Sequence, residues 1–422
     1  MGLPSPSFSF TIPSVYDDTQ LECRLYLPPQ LQRLETAPRW QKRGAIIAHP
    51  YAPLGGCFDD PVVSTVGGEL LQAGYIVGTF NFRGAGESGG KTSWTAKPEL
   101  GDYFSFYGFM VYYLHGLNPG RPSGHSRAPS ETQPSPPSIA GEEGSQQSSS
   151  PVDLILGGYS YGSMIASHLP KVDVVMKLLA NTAEGSSTAA IRTRAQHCSA
   201  HWNKEFQARV QLQSSRPGSP DSVGKPSHVA LGYGSDSSPK DSRGDALDNI
   251  MRRVDRSKRR LSARLSRSEP QMVQVQDNTN AGTASGDARQ IPTPRISYLL
   301  VSPILPPITL FLTMFSRMSL STEVGSGTSV QGAHVLSPKP EEQLCAHPTL
   351  VIYGNRDSFT SEKKIQKWSD ELASVPGTKF QYREIDGAGH FWHEDGVETQ
   401  MRAALRVWLS HTLQVGSSQT PP

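Results

Sequence analysis

Cysteine is scarce in this chain, and its four copies, Cys23, Cys57, Cys198 and Cys345, have neither the spacing of a metal motif nor that of a disulfide framework. That usage suits a reducing compartment and a cytoplasmic protein. Cys345 with His347, and His390 with His393, lack the further donors a zinc ion needs, so no metal is expected. No Lys or Arg precedes Arg24 and no apolar run opens the chain, so no secretory signal is legible. Pro6 stands where a myristoylation motif needs Ser or Thr, and Gln419 to Pro422 matches no anchor or peroxisomal signal. A net charge of only +2 argues against nucleic acid as a partner of the whole chain. The longest apolar stretch, Ile296 to Phe315, is long enough to cross a bilayer, but Pro303, Pro306 and Pro307 interrupt it. It reads as a buried strand to Ser302, an apolar turn and a short helix; alternatively, Ile304 to Phe315 lines an acyl pocket or touches a membrane.

Apolar residues are also few for the length. At 422 residues the chain could hold two or three domains, yet only 36% of it is hydrophobic, and it carries 34 Pro and 39 Gly. Residues 118 to 150 are rich in Ser and Pro and contain no aromatic side chain, so they cannot bury enough apolar surface to offset the entropy of ordering. They read as a disordered insertion. Residues 214 to 293 have largely the same character, 319 to 346 reads as a low-complexity loop, and 412 to 422 as a tail. What remains, about 7–117, 151–213, 294–318 and 347–411, is roughly 300 residues, enough for one well-buried core.

Strands are expected at about 7–13, 20–27, 44–48, 75–81, 152–159, 294–302, 348–354 and 378–386, with helices between most of them. Strands alternating with helices imply right-handed crossovers and a mostly parallel eight-stranded sheet covered on both faces. The first two strands would form an antiparallel edge. Helices are expected at 100–117, from Ser163 to Leu169, and around Ile191, Ala195, Cys198, Trp202, Phe206 and Val210. This third helix is either a cap over a site or an outer helix packed on the sheet.

The chemistry is concentrated at Gly158-Tyr159-Ser160-Tyr161-Gly162, a G-x-S-x-G pentapeptide where an apolar strand turns into a helix. A nucleophile on such a tight turn needs glycine two residues to either side, because a larger side chain would meet the adjoining strand and helix. Two partners follow in order. Asp357 comes just past the strand Thr349 to Tyr353, where sites in open parallel sheets form. His390 lies in a loop, Asp386 to His390, after the next strand. Serine, acid and histidine in this order make a candidate catalytic triad of Ser160, Asp357 and His390. An oxyanion hole needs two preset N–H donors. Tyr161, next to the nucleophile, supplies one. The second is Tyr51, in His49-Pro50-Tyr51-Ala52-Pro53-Leu54-Gly55-Gly56 after the strand Gly44 to Ala48, because the prolines beside it have no N–H. His49 is expected to brace that loop through backbone hydrogen bonds.

With these stretches and Asn81-Phe82-Arg83-Gly84-Ala85-Gly86-Glu87-Ser88, the chain resembles the α/β-hydrolase superfamily. More narrowly, it resembles small bacterial-type serine hydrolases whose oxyanion loop begins His-Pro. The resemblance covers residues 7 to 213 and 294 to 411, with a break at 118 to 150, and relatives lack the long insertions. It implies an α/β-hydrolase fold, a cofactor-free acyl-transfer mechanism and a structural role for the 83–88 segment. A small-molecule carboxylic ester is the expected substrate, with amide or thioester as rivals. A non-catalytic binding or scaffold protein of the same fold is the alternative. One further feature is Leu247 to Arg267, where an apolar helical face is flanked by eight Lys and Arg residues. A helix over about 245–267 would be either a weak contact to an anionic membrane or a solvated part of the insertion.

Overall fold

The computed structural model describes residues 1–93, 95–120, 152–180, 183–214, 292–305, 318–319, 334–335 and 339–417. Met1–Arg216 and Gln290–Pro422 make one compact unit, and a second, Pro217–Arg289, falls outside the described residues. So do the basic helix expected at 245–267, nearly all of the 118–150 and 214–293 insertions, and the residues after Leu305 expected to form a turn and short helix.

The strands are β1 (Phe8–Pro13), β2 (Gln20–Tyr26), β3 (Arg43–Ala48), β4 (Ile76–Phe80), β5 (Asp153–Tyr159), β6 (Arg295–Val301), β7 (Met318–Ser319), β8 (His334–Val335), β9 (Thr349–Gly354) and β10 (Phe380–Ile385). The helices are α1 (Pro29–Gln32), α2 (Pro61–Gln72), α3 (Lys97–Gly116), α4 (Tyr161–Ser167), α5 (Val172–Ala180), α6 (Ser187–Ser214), α7 (Pro340–Ala346), α8 (Glu362–Ala373) and α9 (Val397–Ser417). Eight strands form one sheet in the order β1-β2-β4-β3-β5-β6-β9-β10. β1 pairs antiparallel with β2 and β2 antiparallel with β4, while every other neighbouring pair is parallel. This order, with helices on both faces, is the α/β-hydrolase fold.

Apolar side chains alternate across the sheet because successive residues of a strand point to opposite faces. On β3, Ile46 and Ala48 join one core and Ala45 and Ile47 the other. β9 divides likewise, with Val351 and Tyr353 against Leu350 and Ile352. The first core takes the apolar side chains of α3 to α8; the second takes those of α2 and α9, among them Val63, Val66, Leu70, Met401, Leu405 and Trp408. Central strands covered on both sides are almost continuously apolar, which is why they were legible in the sequence.

Three boundaries differ from expectation. Residues 340–346, expected within a low-complexity loop, form α7, whose Leu344 is buried in the first core. The stretch 319–346 also contributes to a short antiparallel ladder in which Ser319 pairs with His334. The C-terminal helix runs on to Ser417, so the tail begins later than residue 412. The helix over 187–214 is the outer one of the two alternatives. Ile191, Ala195, Cys198, Trp202 and Phe206 are buried in the first core, where α6 packs against α3 and β1. Among the described residues no helix is long and apolar enough to cross a membrane.

Candidate active site

The carboxyl ends of β3, β5, β9 and β10 each deliver one candidate functional group. Ser160 directly follows β5 with φ 54° and ψ −114°, a strained conformation for any residue with a Cβ. Its N–H donates to the carbonyl of Val301 at 2.8 Å, which holds the turn against the end of β6. The flanking glycines are required by contact. A Cβ on Gly162 would lie 2.4 Å from the Ala48 carbonyl oxygen of β3, and one on Gly158 2.4 Å from the Gly162 carbonyl carbon. Any larger side chain would therefore force the Ser160 turn away from the sheet.

Ser160 Oγ and His390 Nε2 are 2.8 Å apart, and His390 Nδ1 lies 2.7 Å from Asp357 Oδ2. All three residues are buried. Asp357 Oδ1 accepts from the N–H groups of Phe359 at 2.8 Å and Thr360 at 3.1 Å, so the carboxylate is fixed and Oδ2 faces the imidazole. A carboxylate only accepts, which puts the ring proton on Nδ1 and leaves the Nε2 lone pair for the serine hydroxyl. The phenol of Tyr159 donates to the carbonyl of His390 at 2.6 Å, tying the histidine's backbone to the strand that carries the serine. The ring of Phe359 lies 4.2 Å from that of His390. Asp386, the other carboxylate near His390 in sequence, is a turn residue: it accepts from Asn355 Nδ2 at 2.8 Å on the exposed surface.

Tyr161 is the first residue of α4, where an N–H has no helical acceptor. Among the described residues neither its N–H nor that of Tyr51 donates a hydrogen bond, and both residues line the cavity that contains Ser160 and His390. Their rings lie 5.2 Å apart. His49 fixes the second donor. It is fully buried; Phe82 N–H donates to its Nε2 at 2.9 Å, and its Nδ1 lies 2.6 Å from the carbonyl of Pro50. Because Nε2 accepts, Nδ1 carries the proton and donates. The Pro50 carbonyl and the Tyr51 N–H belong to one planar peptide and point in opposite directions, so anchoring the first aims the second.

Burial pushes the His49 imidazole down from its ordinary 6.5 to about 4. Between those values the unfolded chain binds a proton that the folded one does not. The contribution is therefore complete above pH 6.5 and is lost as pH falls toward 4, by about 3 kcal/mol in all. We expect urea unfolding from pH 7 to 4.5 to show this loss in the wild type and a shallower profile in His49→Asn. Equal slopes in the two proteins would refute the assignment.

The cavity above the serine measures about 630 Å³. Met164, Ile304, Ala96 and Phe359 give it largely apolar walls, and the exposed side chains of Leu54 and Phe391 also line it. Asp60 lines it too. Sequence reasoning missed Tyr159, Phe359, Phe391 and Asp60. Tyr159 could have been suspected as the variable residue of the pentapeptide, but the others stand in separate loops with no period to mark them. Arg83, read as structural, ion-pairs with buried Asp102 at 2.7 Å and with Asp17 at 2.8 Å.

The chain is similar to several solved structures. One is an alpha-beta serine hydrolase homologue from Coxiella burnetii, at 14% identity over 95% of this chain and 97% of that one, with a TM-score of 0.42. Another is an α/β serine hydrolase without lid from Xanthomonas campestris, at 13% identity over all of both chains, with a TM-score of 0.43. Est1E from Butyrivibrio proteoclasticus, with ferulic acid bound, is 10% identical over 96% of this chain and 99% of its own, with a TM-score of 0.41. No family model and no curated protein matches the sequence. The fold assignment stands on the strand order and the placement of the helices.

Proposed function

We propose that the chain is a serine hydrolase that cleaves a carboxylic ester of a small molecule through an acyl-enzyme. The observation that carries this reading is the unbroken line from Ser160 Oγ through His390 to Asp357, with contacts of 2.8 Å and 2.7 Å. Ser160 attacks the carbonyl while its proton passes to His390 Nε2, and the charge on the imidazolium is held by Asp357. The oxygen that becomes negative is met by the N–H groups of Tyr161 and Tyr51. His390 then returns the proton to the leaving alcohol, and a water molecule repeats the sequence to release the acid. Amides and thioesters would follow the same course. The largely apolar walls favour a substrate whose acyl chain is apolar along its length. Reaction with a fluorophosphonate probe, followed by peptide mapping, tests the reading: modification should fall on Ser160, and an unreactive protein would overturn it.

We also propose that one catalytic domain carries the insertions as additions. Asn118 belongs to the domain, because its N–H donates to Asn203 Oδ1 at 2.8 Å. Residues 121–150 lie outside the described residues; their Ser- and Pro-rich sequence has no aromatic side chain, and closing a shorter connection costs little. Replacing 121–150 by a short Gly/Ser link should leave melting temperature and ester turnover near the wild-type values. Loss of folding on this deletion would show that the segment is part of the domain.

A further inference from the structure

We propose that the cavity beside Ser160 takes an acyl chain bearing an ammonium group and that Asp60 selects it. The inference rests on the hydrolase reading and names the substrate class of that same site. Asp60 is the one carboxylate among the described residues lining a cavity otherwise walled by apolar residues, the tyrosines, the catalytic pair and Ser93, whose hydroxyl donates to Glu99. It caps α2: its Oδ1 accepts from the N–H of Val62 at 2.8 Å and of Val63 at 3.4 Å. Among the described residues Oδ2 has no hydrogen bond, and Asp60 takes part in no ion pair. His393, exposed at the surface, is the basic side chain that bears on it.

The helix cap alone does not need a charge. Asn and Ser cap a helix about as well as Asp, and each supplies the single acceptor used here. A carboxylate in an apolar wall loses hydration that Oδ1 only partly recovers from two N–H groups, and burial accordingly pushes this carboxyl upward. A donor on the substrate completes it. An ammonium adds a charge-assisted hydrogen bond at Oδ2, and a hydroxyl adds a weaker one. A carboxylate at the same place is repelled by Asp60 in a cavity where charges are screened less than in water. Asp60 is thus a specificity residue and takes no part in the proton transfers at Ser160.

The test uses the full chain and four alkyl fluorophosphonates of equal length, ending in methyl, hydroxyl, ammonium or carboxylate. The readout is the second-order rate of Ser160 modification. In the wild type the ammonium probe should react about a hundredfold faster than the carboxylate probe, with methyl and hydroxyl between. In Asp60→Asn and Asp60→Ser, which keep the cap acceptor, the ammonium-to-carboxylate ratio should collapse to near one, with thermal melts reporting that the fold is retained. A ratio unchanged in both variants, or a wild type that does not prefer ammonium, overturns the selection by Asp60 while leaving the nucleophile in place. Failure of all four probes to modify Ser160 removes the hydrolase reading and this inference with it.

Discussion

Ser160→Ala is expected to lower ester turnover by about a millionfold and to abolish fluorophosphonate labelling, while the melting temperature stays close to that of the wild type. The rate effect follows from the position of the hydroxyl, which has His390 Nε2 as its side-chain partner at 2.8 Å. Among the described residues no other hydroxyl is hydrogen-bonded to a ring nitrogen of His390. Stability should change little because the strained φ of 54° is set by the backbone and is equally awkward for serine and alanine. The backbone bonds that hold the turn, Ser160 N–H to Val301 and Met164 N–H to the Ser160 carbonyl, survive the substitution. Steady-state kinetics with a chromogenic ester and a thermal melt decide the matter. Undiminished turnover would place the nucleophile elsewhere, and a collapsed melt would mean that the serine is a packing residue.

The reach of the sequence is uneven for physical reasons. All eight strands of the main sheet fall within two residues of their expected ends, because buried strands are apolar throughout and bounded by turn residues. Ser160, Asp357 and His390 were recognisable because chain order and strand ends constrain them, and Tyr51 because the prolines in its loop have no N–H to offer. The partner of α6 was not recognisable. Its apolar stripe announces a buried face, but a helical period cannot say whether that face meets a substrate or, as here, α3 and β1. Helix α7 was hidden for a related reason: a seven-residue helix with two buried residues, Gln343 and Leu344, carries too little pattern to stand out from the polar stretch before it. The cavity wall is the hardest part to read. Asp60 and Phe359 lie far apart in sequence and line one cavity only because strand ends converge, so no local signal marks either, whereas Ile304 opens the apolar stretch that the sequence offered as an acyl-pocket wall.

Asp357→Asn should lower turnover by about ten-thousandfold, less than the serine substitution but still crippling, whereas Asp386→Asn should leave an enzyme close to wild type. In Asp357→Asn the retained oxygen can still accept from Phe359 and Thr360, so the loop keeps its shape. The group turned toward His390 becomes an NH₂ donor. That donor satisfies the lone pair of Nδ1 and drives the ring proton to Nε2, where it confronts the serine hydroxyl and can no longer receive its hydrogen. Among the described residues the Asp386 carboxylate accepts from Asn355 and its backbone carbonyl from Gln400, both at the surface, and replacing the carboxylate by an amide leaves the acceptor for Asn355 in place. Combining Asp357→Asn or His390→Ala with Ser160→Ala should add almost nothing to the loss, because the three groups act on one proton and fail together. Kinetics on the single and double variants measure this. If Asp386→Asn were the crippling change, or if the losses multiplied, the acid would not be Asp357, and the unit drawn from Ser160 through His390 would have to be reassigned.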